Sequence, residues 1–277
     1  MFKREYYCLV AGLPDLMLEK DAKNFGFKIL FEEILERIDE KDHRFLRELF
    51  LPYDLLNVHY LLQGREDLFD DKGQYSLDFL KEHLEVPEEM PQYMIDIIRK
   101  FRLGHELGDQ SDDYQNMSHY TWSRFYQEIA NNSTNRFIRS WWRFDQILRN
   151  IKSAWMCRKL DVSMKEQLIG WGETVDYFVK NNLPDFGLRR EMMFGEQIFN
   201  LLDEDLSILE REFRFDQIRW QMADELTTFH YFDINKILAF IAKADILDRW
   251  LKLDKERGAA LFDGFVKTLV EQKNVEL

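Results

Sequence analysis

The sequence predicts an all-α fold. Apolar residues recur at three- and four-residue steps through nearly the whole chain, and period-two alternation is rare. Only 12 Gly and 5 Pro occur in 277 residues, roughly half of average usage, so there are few places to break a helix. Hydrophobic residues make up 45% and aromatics 15%, which is ample for a sizeable core. So many Phe, Tyr and Trp side chains belong in a core or a partner interface.

The elements follow from these signals in order. Leu30, Ile34, Leu35 and Ile38 share one face of a helix over 27–38, with Glu32, Glu33, Glu36 and Arg37 on the other. A second helix follows Asp42, and Pro52 is expected to stop it. Asp54 is then the expected N-cap of a third, carrying Leu55, Leu56, Val58, Leu61 and Leu62 and closed by Gly64. Ser76 opens a short helix to about Leu84, and Pro87 and Pro91 break the chain before another through Arg102. Ser118 starts a helix that ends at the polar cluster 131–135, and a long helix follows from Arg136 to Leu160.

Ser163 and Glu166 have the capping-box spacing, which predicts a helix from there to Asn182. Pro184 separates it from a helix through Leu202, and a long one is expected over 205–229. Asp233 caps a last pair, 234–253 and 256–273. The glycine-containing, acid-rich stretch 105–117 is the expected linker between an N-terminal helical subdomain, 1–104, and C-terminal helical subdomains, 118–277. Arg-Phe-Asp-Gln-Ile occurs at 143–147 and again at 214–218, either an internal repeat or a coincidence in a chain rich in these residues.

Charge and motifs narrow the function. A net charge of −13 repels free nucleic acid and anionic membranes, whose binding rests on many Lys and Arg contacts. The N-terminal apolar run Tyr6–Leu13 imitates a signal peptide, but Glu5 interrupts the basic region and Pro14-Asp15 ends the run without a cleavage site. No stretch is apolar over the length that spans a bilayer, so direct membrane insertion is not expected. Cys8 and Cys157 have no zinc-like or redox spacing, and a cytoplasmic location is expected.

Glycine-rich phosphate loops and nucleophile elbows are absent from the sequence, so neither nucleotide-loop nor hydrolase chemistry is supported. A bundle metal site needs two Glu-x-x-His pairs; the sequence has one, Glu40 with His43, in a charged stretch. No catalytic, cofactor-binding or metal-ligating residue is therefore assigned.

The segment 136–159 is chemically distinct. Arg136, Arg139, Arg143, Arg149, Lys152, Arg158 and Lys159 stand against Asp145 as the single acid, interleaved with Trp141, Trp142 and Trp155. Arg136, Arg139 and Arg143 share a helical face. Arg136, Arg139, Trp141, Trp142 and Arg143 are the candidate partner-binding residues, because Arg and Trp concentrate at interface hot spots. The other reading is a core helix whose Trp pack inward while its cations neutralise acidic neighbours. On the first reading the chain is a cytoplasmic all-helical adaptor that binds an acidic partner.

Three segments carry a family resemblance: Tyr6-Tyr7-Cys8-Leu9-Val10-Ala11-Gly12-Leu13-Pro14-Asp15-Leu16, Pro52-Tyr53-Asp54-Leu55-Leu56-Asn57-Val58, and the run from Ile234 to Trp250. The first resembles the opening of an uncharacterised bacterial family encoded beside V/A-type ATP synthase genes. The second and third are similar to the Asp…Asn helices and closing helix of the C/d-like connector subunits of those synthases and of eukaryotic V-type ATPases. The resemblance implies a multi-helix funnel or solenoid-like array of pseudo-repeated subdomains. It also implies a non-catalytic connector with no cofactor, coupling the central rotary stalk to the membrane ring for ion transport. Its partners would be central-stalk and membrane-ring subunits, holding it peripheral to the inner membrane.

Overall fold

Helical periodicity becomes twelve α-helices in the computed structural model, which describes residues 5–18, 26–87, 90–106 and 113–273 and contains no strand among them. The all-α expectation holds. In chain order the helices are α1 (Tyr7–Ala11), α2 (Phe27–Arg37), α3 (His43–Leu62), α4 (Leu77–Glu85), α5 (Gln92–Glu106) and α6 (Asp113–Asn132). Then come α7 (Arg136–Leu160), α8 (Glu173–Lys180), α9 (Leu188–Glu191), α10 (Gly195–Asp203), α11 (Ile208–Glu225) and α12 (Ile234–Lys273).

Where the local start signal and the burial pattern agree, the helix lies where expected. Ser76 accepts a hydrogen bond from the Phe79 amide and opens α4, and Asn135 accepts one from the Ile138 amide and opens α7. Asp161, in the left-handed region at φ 52°, closes α7, a conformation that Asp tolerates better than most residues.

Three expectations are corrected. Pro52 does not divide two helices; it lies inside the continuous α3. A proline inside a helix costs about 3 kcal/mol, but Leu49, Phe50, Leu51, Leu55 and Val58 are all buried around it, and their apolar burial outweighs that cost. Asp54 is consequently a helix-interior residue and no N-cap.

Ser163 and Glu166 do not open a helix either, because turns occupy the chain until α8 begins at Glu173. Leu168 and Ile169 are buried in that stretch, and Gly170 and Gly172 take positive φ, so tertiary anchoring overrides the local capping pattern. The last pair of helices is one, α12, since no breaking residue lies between 253 and 256.

The chain divides into two compact units, residues 39–222 and residues 1–38 with 223–277. These boundaries differ from those expected at 104 and 118. Of the expected linker, 107–112 lies outside the described residues, while α5 runs to Glu106 and α6 starts at Asp113. In the larger unit α3 packs on α4, α5, α6 and α7, and α6 packs on α5 and α7. Phe125, Phe186, Phe215, Leu46, Leu55, Leu80, Met94 and Ile138 are fully buried there. In the smaller unit α12 packs on α2 through a core that includes Ile34, Ile237, Leu238 and Ile241.

Candidate functional site

The start of α7 is held by a short polar relay. Ser133 donates its hydroxyl to Glu48 on α3 at 2.5 Å, and its carbonyl accepts from Arg139 at 2.7 Å. Helical periodicity then sorts the segment. Phe137, Ile138, Trp141, Phe144, Leu148 and Ile151 face the core, while Arg136, Arg139 and Arg143 are exposed.

The exposed side forms a groove of about 550 Å³. Its walls are Arg136, Arg139, Ser140, Trp142, Arg143 and Gln146 from α7, Tyr126, Ile129 and Ala130 from α6, and Thr174 from α8. Four of the five candidate residues thus share one groove. Trp141 turns away from it, 6% exposed, with its ring stacked on Phe137. Among the described residues neither Arg136 nor Arg143 has a carboxylate partner. The Trp142 ring meets Phe125 edge-on at 4.8 Å, and its indole nitrogen is buried without an acceptor among the described residues.

Behind the groove Arg149 and Lys152 do the opposite job. Asp145, buried, accepts from the Tyr126 hydroxyl at 2.6 Å, from Arg149 at 2.7 Å and from Arg219 on α11 at 3.0 Å. Arg219 also donates to the buried Asp216 at 3.0 Å. Burial by itself would push the Asp145 carboxyl up, but the two guanidiniums and the Tyr126 hydroxyl outweigh it and hold it well below the usual carboxylate range. Arg149 lies 4.1 Å from the centre of the Trp122 ring, and Lys152 pairs with Glu212 at 2.5 Å.

The neutralising reading of the 136–159 segment describes one face of α7, and the candidate arginines lie on the opposite face. Arg149 and Lys152 neutralise acids of α7 and α11, and Arg136, Arg139 and Arg143 face the groove. The sequence echo also has structural content: its two aspartates, Asp145 and Asp216, both bind Arg219.

A second buried polar centre lies on α3. Asp54 accepts from the Gln74 amide at 2.6 Å and the Tyr75 amide at 3.2 Å. Asn57 clasps the backbone of Asp70 through both amide atoms, each at 2.8 Å. Burial pushes the Asp54 carboxyl up to about 6 against the opposing effect of its hydrogen bonds. Gly73 closes the clamp, since a Cβ there would stand 2.6 Å from the Asp54 carboxylate oxygen and 2.9 Å from the Asn57 amide. Gly73→Ala is expected to cost about 1–3 kcal/mol of stability by forcing the loop off α3, measurable as a lower urea midpoint.

Asn150 on α7 repeats the same device, donating to the Ile169 carbonyl at 2.9 Å and accepting from its amide at 2.8 Å. Asn150→Ala strands the Ile169 amide, while the carbonyl keeps a longer bond from Gln146 at 3.3 Å, and is expected to cost about 1–3 kcal/mol, read from the same denaturation curve.

A family model described as a protein of unknown function, DUF2764, matches residues 3–273. The chain belongs to the DUF2764 family. No curated protein and no solved structure matches it.

The DUF2764 chain holds no cluster of three or more His, Cys, Asp or Glu side chains placed for a metal ion among its described residues. No helix among them is long and apolar enough to cross a membrane. One surface feature has no counterpart in the expectations from sequence. Phe229 and Tyr231 are 84% and 66% exposed just before α12, next to Phe232, whose ring meets Tyr7 at 4.6 Å. Its only signal is the run Phe229-His230-Tyr231-Phe232, too short for any periodicity to say whether it is buried.

Proposed function

We propose that the chain is a non-catalytic connector in a V/A-type ATP synthase, coupling the central rotary stalk to the membrane ring, with a funnel or solenoid-like array of repeated helical subdomains. The observation that carries the reading is the α3 clamp. Asp54 and Asn57 are the residues on which the connector resemblance of 52–58 rests, and both are fully buried and hold the following loop. The likeness therefore falls on a working part of the scaffold.

Close-packed helices suit such a role, because they transmit displacement with little compliance. Ion transport and ATP hydrolysis would belong to other subunits. The test is fractionation of the native cells. The chain should sediment with membranes in cells that make the synthase and move to the supernatant in cells that lack it. A chain found in the supernatant of both would overturn the proposal.

A further inference from the structure

We infer that the α7 groove is a docking site for an acidic helical segment of a partner protein, bound through Arg136, Arg139 and Arg143. The inference does not rest on the connector reading, because it follows from charge and geometry alone. Arg136 and Arg143 are exposed cations without a carboxylate partner among the described residues, on a protein with 51 acidic residues against 38 basic. In such a chain acidic side chains compete for every cation, and the neighbouring Arg149, Lys152 and Arg219 are all paired. Arg136 and Arg143 are thus available to an outside anion, with Arg139, anchored on the Ser133 carbonyl, adding its charge between them.

The class of anion follows from their placement. At the rise of an α-helix, Arg136 and Arg143 are about 10 Å apart along α7, with Arg139 between them. Carboxylates spaced one turn apart on a second helix, at about 5–6 Å, meet that row in register. Each guanidinium can take a carboxylate by two parallel hydrogen bonds. A single phosphate would need cations or backbone amides converging on one point, and the groove instead offers a row. Nucleic acid and anionic lipid present long fields that the net charge of −13 opposes, whereas a short acidic helix engages only the local cations. Ile129, Ala130 and the half-buried Trp142 supply an apolar floor for the aliphatic part of such a helix.

The test uses the full chain and fluorescence anisotropy with a labelled helical peptide carrying Glu at positions i, i+4 and i+7. Its partners are the same peptide with Gln at those positions, and unlabelled pyrophosphate as competitor. The Glu peptide should bind and the Gln peptide should not. The double variant Arg136→Gln/Arg143→Gln should weaken binding by about tenfold or more, and raising salt from about 50 to about 300 mM should weaken it similarly. Arg190→Gln, an exposed arginine outside the groove, should leave it unchanged. Because Arg136 and Arg143 are exposed, the helical circular dichroism and the melting curve of the double variant should match wild type. Equal binding of both peptides, no binding of either, or an unchanged affinity in the double variant would overturn the inference. Displacement of the Glu peptide by pyrophosphate at matched charge concentration would replace it with a small-anion site.

Discussion

Asp145→Ala is expected to destabilise the chain by about 3–5 kcal/mol, the usual cost of breaking a buried ion pair by removing one member. Two guanidiniums are left behind. Arg219, 12% exposed, keeps the buried Asp216, whereas Arg149, 35% exposed, is left over the Trp122 ring without the carboxylate it paired with. The Tyr126 hydroxyl, which donates to Asp145, is buried and loses its acceptor as well.

The loss should be read by urea denaturation near neutral pH. Tyr126→Phe should cost only about 1 kcal/mol, because both charges stay paired. The Asp145 carboxyl is held below its unfolded value, so its contribution is fully present above about pH 4 and lost only as the pH falls through the folded value. The Asp145→Ala penalty should therefore be the same at pH 5 and at pH 8.

Asp54 behaves in the opposite sense. Its carboxyl is raised to about 6 in the folded chain, so the folded state binds this proton more tightly than the unfolded state does. Stability from this group is greatest below the unfolded value of about 4 and is lost as the pH rises through 6, a total of about 3 kcal/mol. Asp54→Asn keeps an acceptor for the Gln74 and Tyr75 amides and removes the buried charge. The variant is expected to equal or exceed wild-type stability at neutral pH and to lose most of the slope between pH 4 and 6. Glu48 is also raised by burial, so a smaller slope of the same sign should persist. Urea midpoints of the two proteins across that interval decide it. A variant several kcal/mol weaker at every pH would mean that the carboxylate's hydrogen bonds outweigh its burial.

The parts of the molecule legible in the sequence are those written in adjacent residues. The ends of α7 follow from Asn135 and from the spacing of Phe137, Ile138, Trp141 and Phe144, and its arginine face follows from the same period. What could not be read depends on partners distant in the chain. Pro52 reads as a stop because the burial around it is invisible locally, and Ser163 with Glu166 reads as a start because Asn150 and Ser123, which pin Ile169 and Gly170, lie elsewhere. The Asp145–Arg219 pair joins residues 74 apart. Nothing in the composition of 136–159 separates the cations it retains from the three that face the groove.

Native mass spectrometry of whatever is purified gently from the native cells through a tag on this chain tests the proposed membership of a rotary ATP synthase. A connector should be recovered in a complex with central-stalk and membrane-ring subunits at a fixed stoichiometry. Recovery of the chain alone, or only with proteins unrelated to the synthase, would contradict it.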